Sequence, residues 1–355
     1  MVRLKDVAAR AGVSVGTASK VLSSARAAQP FSLECILRVR TAARDLGYTQ
    51  NYLARSLQTG RSHAVGLALG NLGFGRLRGF YSQMVGGIMA QAHRSGYQCV
   101  TVGAQYGTSP VAQGLGFLRE RRIDALILPG VACGWRLPEE LVGLDTSAVL
   151  VNFHAETLLP SVELDEAVGI AAAVSHLRSL GHRRVLYFGP ESEAPHASPV
   201  RREAFWAAVN AGGLHGQELC LPTEALSRLE LPDGVAAGCQ ALLAHWIRLP
   251  RGAQGPTSIV CHDEPLAFGA YAALGELGLR VPQDVSVIGF DDIRAEVAWP
   301  PMTVVSHMLE KMGRTAAKLA ISMAQGAPQA SLPRRTVVPA ELVVRESTGP
   351  APVRD

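Results

Sequence analysis

The sequence predicts an α/β protein in which a small N-terminal helical headpiece precedes a larger, two-lobed core built on parallel sheets. Three observations support this prediction. The chain has 355 residues, which is enough for two or three domains. The first 61 residues combine short helical patterns with an excess of positive charge. From residue 64 onward, short apolar runs alternate with amphipathic stretches, as in parallel strands connected by helices.

The composition excludes several classes of protein. Hydrophobic residues make up 48% of the chain and charged residues 18%, which is enough apolar material for a large core and excludes a disordered or fibrous protein. No apolar run reaches the roughly 18 residues of a membrane helix, and the N-terminus lacks the apolar segment of a signal peptide. The six cysteines show no C-x-x-C spacing, so neither a zinc site nor a disulfide framework is expected. We therefore expect a cytoplasmic protein without a metal or cofactor.

The net charge of +4 conceals an asymmetry along the chain. Residues 1–61 carry ten Lys and Arg against three Asp and Glu, which gives +7. The remainder carries 24 basic and 27 acidic residues, which gives −3. A basic head on a mildly acidic body indicates a polyanionic partner for the head. The alternative is a solvated basic tail, which the apolar patterning of this region disfavours.

The headpiece pattern predicts a helix-turn-helix followed by a third helix. Leu4–Ala11 has its apolar residues on one face, and Gly12 ends this first helix. Ser14 is a suitable N-cap for a second helix over Val15–Leu22. Such a second helix would enter the major groove of DNA. Its outward-facing residues are Val15, Gly16, Thr17, Ser19 and Lys20. A third helix is predicted from Ser32 to Leu46, and it is expected to supply Leu33, Ile36, Val39 and Leu46 to the core.

The segment Asn51–Gly60 predicts one or two helical turns that are too short to be stable alone. Such a segment could fold only when it is docked on a partner. Leu57 would then be an exposed apolar residue beside Arg55 and Arg61, and an apolar wedge flanked by arginines suits insertion into a DNA minor groove. An ordinary linker helix fits this segment equally well.

Seven apolar runs predict strands in the body, and amphipathic stretches between them predict helices. The predicted strands are 64–69, 98–102, 125–128, 148–152, 185–188, 258–261 and 285–289. The predicted helices include 83–94, 166–180, 202–211, 234–246 and 266–277. One small sheet cannot contain this many strands. Two similar lobes that share a cleft can contain them. Lobes of this type bind small ligands at the carboxyl ends of their strands.

An enzyme is a weaker interpretation of the body. Gly73-x-Gly75-x-x-x-Gly79 loosely matches a dinucleotide-binding loop, but the acid expected after the next strand is missing. His154-x-Glu156 suits a solvated loop better than a metal site. The pair Asp291-Asp292 suits capping or hinge hydrogen bonds better than catalysis. No G-x-S-x-G or P-loop motif is present, so we predict no catalytic residues.

Several motifs in the right order resemble the LacI/GalR family of transcriptional regulators, and together they span nearly the whole chain. In the head they are the segment from Leu4 to Leu22, Leu46-Gly-Tyr48, and Asn51…Ala54-Arg-Ser-Leu57…Gly60. In the body they are His176-Leu-x-x-x-Gly-His-Arg-Arg-Val185, Gly278-Leu-x-Val-Pro-x-Asp-Val-Ser-Val-Ile-Gly-Phe-Asp-Asp292 and Pro300-Pro-Met-Thr303. The resemblance implies a headpiece, a hinge helix and a core like that of periplasmic sugar-binding proteins. It also implies a homodimer at least.

The resemblance also implies roles for individual residues. On the second helix, Val15, Gly16 and Lys20 occupy the family's base-reading positions, and Thr17 and Ser19 would contact phosphates. In the hinge, Leu57 would be the minor-groove wedge with Asn51 and Ala54 nearby. In the core, Asp165, Arg201 and Asp263 fall where family members bind an effector, and charged groups in a cleft suit the hydroxyls of a polyol. From the residues alone, Arg201 would be a surface helix residue and Asp263 a strand-end cap.

Some residues depart from the family's pattern. Arg3 replaces the Thr that usually caps the first helix, and Gly16 offers no side chain for base readout. Cys35 and Ile36 replace a Thr-Arg pair that often touches phosphate, so weaker and less salt-sensitive DNA binding is expected. Gln50 stands where a Pro usually precedes the hinge. Around the pocket, His262 replaces Asn, and the segment 195–199 lacks the polar residues of purine-binding relatives, which favours a sugar or sugar acid.

We therefore predict four regions: a DNA-binding headpiece at 1–48, a hinge at 49–61, an effector-binding and dimerisation core at 62–345, and a tail at 346–355. The predicted function is a sequence-specific transcriptional regulator, a repressor, that binds a pseudo-palindromic double-stranded operator and responds to a small carbohydrate effector. The alternative is a cytoplasmic sugar-binding protein whose head no longer binds DNA, for which Gly16 and Cys35 are the best support.

Overall fold

The structure is a computed structural model of the chain. It describes residues 2–23, 28–49, 56–57, 59–69, 78–103, 109–130, 141, 146–152, 158–191, 199–222, 233–248 and 255–353. The chain forms two compact units, Met1–His63 and Ala64–Asp355.

The first unit is built on three helices, as the sequence predicts. They are α1 (Leu4–Ala11), α2 (Val15–Ser23) and α3 (Leu33–Asp45). Gly12 ends α1 in the left-handed region with φ of 65°, a conformation that glycine adopts without steric cost.

The three helices enclose one small hydrophobic core. Its fully buried members are Val7, Ala8, Ala11, Ala18, Val21, Val39, Ala42 and Ala43. Ile36 and Leu46 are partly buried against this core, as expected. The expectation for Leu33 is wrong, because its side chain is 72% exposed. Leu33 is the first residue of α3, and at this end of the helix its side chain faces solvent and not the core.

The second unit contains the strands and helices of the α/β body. Its strands are β1 (Ala64–Ala68), β2 (Gln98–Val102), β3 (Ala125–Pro129), β4 (Ala148–Val151), β5 (Ser161–Asp165), β6 (Arg184–Pro190), β7 (His215–Leu221), β8 (Ser258–Cys261), β9 (Ser286–Asp291), β10 (Thr303–Ser306), β11 (Arg335–Pro339) and β12 (Glu341–Val343). Its helices are α4 (Arg78–Arg94), α5 (Pro110–Arg119), α6 (Glu166–Ser179), α7 (Pro199–Gly212), α8 (Asp233–Trp246), α9 (Glu264–Glu276) and α10 (Leu309–Ala324).

These strands form two six-stranded sheets, which confirms the predicted two-lobed α/β core. The first sheet has the order β11-β5-β4-β3-β1-β2, and the second has the order β12-β10-β9-β8-β6-β7. Neighbouring strands are parallel in both sheets except for β10 and β12, which are antiparallel. All seven predicted strands are present.

Five further strands were not predicted, and two of them show why. The edge strands β7 and β11 are largely half-buried or exposed, so they carry no continuous apolar run. An ion pair joins β11 to β5, because the buried Glu163 lies 2.8 Å from the exposed Arg335 across the strands. Polar residues in such strands hide the signal from which buried strands are predicted.

The core continues past residue 345, where the sequence analysis placed the start of a tail. Ser347 is fully buried, and its hydroxyl accepts the Thr303 N–H at 2.8 Å. The Ala351 N–H donates to the Leu180 carbonyl at 2.9 Å. Residues 346–351 are therefore anchored on the lobe of the second sheet.

Helices α4 and α10 pack closely because each has a glycine at the contact. A Cβ on Gly87 would overlap the carbonyl of Glu310, and a Cβ on Gly313 would overlap the carbonyl of Met84. The backbones of the two helices therefore approach more closely than they could if either glycine were replaced by a residue with a side chain.

Candidate functional site

Helix α2 exposes one face to solvent, and this face carries both polar and apolar residues. Ser14 caps the helix as predicted, because its Oγ accepts the Thr17 N–H at 3.0 Å. Ala18 and Val21 anchor the opposite face in the core. The predicted base-reading residues Val15, Gly16 and Lys20 are exposed, and Val15 is 48% accessible. Thr17 and Ser19, the predicted phosphate contacts, are half-buried.

The first and third helices retain N-terminal hydrogen bonds despite the departures in the sequence. Arg3 provides no side-chain cap to α1, but the Asp6 carboxylate accepts the Arg3 backbone N–H at 2.8 Å. At α3, the Ser32 hydroxyl accepts the Cys35 N–H at 3.2 Å, as predicted. The scaffold that holds α2 is therefore intact at both neighbouring helices.

The hinge is described only in part. Ser56, Leu57 and Thr59 are helical, and the Leu57 side chain is 86% exposed. The predicted DNA-contacting residues Asn51 and Ala54 lie outside the described residues. An exposed leucine in a basic segment is what an apolar wedge requires, although the same exposure suits a linker.

In the second unit, two predicted effector residues cap helices at the ends of strands. Asp165 is the last residue of β5, and its carboxylate accepts the Val168 N–H at 3.1 Å. Asp263 follows β8 and accepts the Leu266 N–H at 2.9 Å. Both carboxylates therefore lie at the carboxyl ends of parallel strands, where α/β lobes bind ligands.

The environment of Asp263 favours the protonated form of its carboxyl group. Burial, and then the nearby Asp291 carboxylate, raise the pKa of Asp263 to about 7. The site thus contains a carboxyl group that can donate as well as accept a hydrogen bond near physiological pH.

Arg201, the third predicted residue, is the centre of a buried polar cluster. It is only 7% exposed, so the surface-helix interpretation is wrong. Its Nη1 donates to the His262 carbonyl at 2.6 Å, and its Nη2 donates to Glu166 Oε1 at 2.8 Å. The guanidinium also stacks 3.8 Å above the Phe290 ring, a cation–π contact.

The imidazole of His307 extends this cluster. Arg201 Nη2 lies 3.0 Å from His307 Nε2. A guanidinium only donates, so Nε2 accepts this bond when the ring is neutral and its one proton is on Nδ1. Burial would lower the pKa of His307, but the Asp291 carboxylate raises it. His307 Nδ1 lies 2.8 Å from Asp291 Oδ1. Arg201 and Asp291 are therefore connected through one histidine ring.

The charges of the cluster are set by pairing. Burial would raise the pKa of Glu166, but Arg201 and His307 hold this pKa well below its usual range. Burial would likewise raise the pKa of Asp291, and His307 and Arg201 lower it instead. Both carboxylates are therefore ionised at neutral pH.

The side chains of the pair Asp291-Asp292 contact two different partners in a fixed loop. Both residues have positive φ, 93° and 64°. Asp291 faces His307, and Asp292 Oδ1 accepts from Arg345 Nη2 at 2.8 Å. Glu264 accepts the backbone N–H groups of the two residues that follow this pair. The loop is therefore fixed from several sides.

The structure brings the three predicted effector residues together through their neighbours. Arg201 contacts Glu166, which follows Asp165, and the carbonyl of His262, which precedes Asp263. The sequence analysis did not assign Glu166, His307, Asp291 or Tyr187 to the site. Tyr187 belongs because its hydroxyl lies 3.0 Å from His262 Nδ1. A carboxylate opening a helix directly after a strand, as Glu166 does, was the available signal.

Within the described ranges, no three His, Cys, Asp or Glu side chains are grouped as a metal site would require. No described helix is both long and apolar enough to cross a membrane. The glycine pattern at 73 and 75, His154 and Glu156 lie outside the described residues.

Comparison with known proteins matches both units. Residues 3–51 match the family described as bacterial regulatory proteins, lacI family. Residues 174–348 match the periplasmic binding protein-like domain.

Similar proteins match this chain over most of its length. The chain is 27% identical over 347 residues to the transcriptional regulator RegA of Clostridium saccharobutylicum, covering 97% of this chain and 98% of RegA. It is 29% identical over 325 residues to the ribose operon repressor of Escherichia coli K12, covering 89% and 91%. A crystal structure of the lac repressor dimer bound to operator and the anti-inducer ONPF has a TM-score of 0.67 at 24% identity, covering 98% and 99%.

Proposed function

The chain belongs to the LacI family of bacterial regulatory proteins, and we propose that it is a sequence-specific transcriptional repressor whose operator affinity is controlled by a small carbohydrate. The observation that carries the proposal is the headpiece. It combines a charge of +7 over residues 1–61 with a capped helix whose outer face exposes Val15, Gly16 and Lys20.

The DNA-binding surface is formed by α2 and the hinge. Val15, Gly16 and Lys20 read base edges in the major groove, while Thr17 and Ser19 contact phosphates. Leu57 enters the minor groove, with Asn51 and Ala54 beside it. Because Gly16 has no side chain, readout at its position relies on close backbone approach and on DNA shape.

The operator is a pseudo-palindromic double-stranded site, because a homodimer presents two recognition helices and two hinges. DNA as a partner places the protein in the cytoplasm. The same regulatory role makes the chain a binding protein and not an enzyme, and no cofactor is required.

The effector binds at the strand ends around Asp165, Arg201 and Asp263. The Arg201 Nε–H is buried without a hydrogen-bond partner among the described residues. An unpaired buried donor is costly, and a sugar hydroxyl would satisfy it. The ribose operon repressor is a relative whose name associates it with a sugar, which supports the same ligand class.

Regulation then follows from differential binding. An effector that binds one arrangement of the two lobes more tightly shifts the population toward that arrangement, and operator affinity changes by the same coupling free energy.

Selection from random DNA tests the DNA-binding half of the proposal. The full chain should enrich a pseudo-palindromic sequence and bind it with a Kd on the order of 10⁻⁸–10⁻¹¹ M at physiological salt. Enrichment of random sequences only would exclude the repressor and favour the alternative, a sugar-binding protein with an inactive head.

A thermal-shift screen tests the effector half. Sugars, sugar acids and nucleosides are added to the full chain, and a ligand at 100 times its Kd stabilises its binding unit by about 2.7 kcal/mol. A screen in which nucleosides alone stabilise the protein would contradict a carbohydrate effector.

A further inference from the structure

The chain passes between the two sheets three times, and two of these crossings carry a buried side chain that contacts Arg201. Strand β5 of the first sheet ends at Asp165, and Glu166 then begins α6, which packs on the second sheet's lobe. Strand β10 of the second sheet ends at Ser306, and His307 then precedes α10, which packs on the first sheet. The third crossing, at Ala340, joins β11 to β12.

One nitrogen atom of Arg201 contacts a side chain at each of the first two crossings. Arg201 Nη2 lies 2.8 Å from Glu166 Oε1 and 3.0 Å from His307 Nε2. Both partners are almost fully buried, so water does not replace either contact easily. The guanidinium is held from below by the Phe290 ring at 3.8 Å.

We infer that Glu166 and His307 are positioning residues that couple the effector, bound at Arg201, to the angle between the lobes. This inference rests on the proposed effector site. Glu166 and His307 lie where the chain turns from one lobe to the other, so a change in lobe angle turns the backbone on one side of each residue while Arg201 holds its side chain. An effector that fixes Arg201 in one orientation favours the lobe angle at which both contacts are made.

A purely structural role makes a different prediction. Buried ion pairs contribute little net stability, and removing one partner destabilises the fold in every ligation state alike. A structural pair would thus lower thermal stability without changing the ratio between operator affinities measured with and without sugar. That ratio, the coupling, distinguishes the two roles.

The experiment compares three variants with the wild-type chain. Glu166→Gln removes the charge that faces Arg201. His307→Phe removes the acceptor and keeps an aromatic ring against Phe290, which His307 contacts edge-on at 4.8 Å between ring centroids. Glu163→Gln is the matched control, because Glu163 is an equally buried carboxylate in the preceding strand that pairs with Arg335.

Two quantities are measured for each full-length protein with D-ribose, D-galactose and cellobiose as probes. The first is sugar affinity by calorimetry. The second is operator affinity, on the DNA site returned by selection, without sugar and at saturating sugar. We expect the wild type and Glu163→Gln to change operator affinity at least about fivefold on sugar binding. We expect Glu166→Gln and His307→Phe to bind the sugar and to change operator affinity less than about twofold.

Each other outcome overturns a defined statement. If both crossing variants bind sugar and respond like the wild type, the coupling role is wrong and the effector site stands. If either crossing variant folds but loses sugar binding altogether, its residue belongs to the binding surface and not to coupling. If the wild type responds to none of the three sugars, the proposed carbohydrate control fails, and the coupling role fails with it.

Discussion

Replacing Asp263 by Asn tests whether the carboxyl at the end of β8 is held protonated. Asparagine has the same shape and is an equally good N-cap, so the hydrogen bond from the Leu266 N–H is retained. What the substitution removes is the ability to ionise. Burial and the Asp291 carboxylate raise the pKa of Asp263 from 3.8 to about 7 in the folded protein.

The sign of the effect follows from where the proton is bound more tightly. Between pH 3.8 and about 7 the folded protein holds a proton on Asp263 that the unfolded chain has released. Wild-type stability therefore falls as the pH rises through this window and levels off above it. The full pKa difference corresponds to about 4 kcal/mol, of which about 2.5 kcal/mol is lost between pH 5 and pH 8.

Urea unfolding at pH 5 and pH 8 measures this loss. All four tryptophans, at positions 135, 206, 246 and 299, lie beyond residue 63, so their fluorescence reports on the second unit. The stability of Asp263→Asn relative to wild type should increase by about 2.5 kcal/mol from pH 5 to pH 8. Asp165→Asn makes the same exchange at the N-cap of α6 and serves as the control. A difference that stays constant, or that falls toward pH 8, would refute a protonated Asp263.

Four further predictions follow from the sites. Arg201→Ala should abolish the effector response and leave operator affinity nearly unchanged, as gel-shift titration with and without sugar can show. Leu57→Ala should weaken binding to the operator far more than binding to random DNA at one salt concentration, and equal losses would mean that Leu57 is not a wedge. Gly313→Ala should destabilise the second unit by about 1–3 kcal/mol in urea unfolding, whereas Gly86→Ala, which has open space, should not. Calorimetry should show tighter binding of a neutral sugar such as D-glucose than of its acid D-gluconate, and the reverse order would contradict the charge assignment of the site.

The headpiece was predictable from sequence because its signals are local. Gly12, Ser14 and Ser32 act at helix ends, and each determines a boundary within a few residues of itself. Leu33 was the one residue wrongly predicted to join the headpiece core. The spacing of apolar residues in α3 does not show that the first turn of the helix lies outside that core.

The proposed effector site was predictable only in part, because its contacts join residues far apart in the chain. Asp263 follows the apolar strand β8, a pattern that sequence reveals, whereas Asp165 ends β5, a strand that was not predicted. The hydrogen-bond partners of Arg201 lie 35, 61 and 106 residues away, and no local pattern links them. Without these partners Arg201 has the pattern of an ordinary surface residue at the start of an amphipathic helix. Tertiary packing alone determines that it is buried.

We expect a neutral sugar to bind more tightly than an acidic one because of the balance of charge around Arg201. Glu166 and Asp291 are both ionised, because Arg201 and His307 lower their pKa values. The Arg201 guanidinium and His307, whose pKa burial would lower but Asp291 and Glu166 raise, are thus already balanced by these two carboxylates, and Asp263, with its pKa of about 7, adds a partial negative charge. An acidic sugar would bring its carboxylate into a buried region of net negative charge, where desolvation strengthens repulsion between like charges. A neutral polyol avoids this repulsion and can accept from the Arg201 Nε–H, which has no hydrogen-bond partner among the described residues. The same balance would exclude phosphorylated sugars, whose charge is greater.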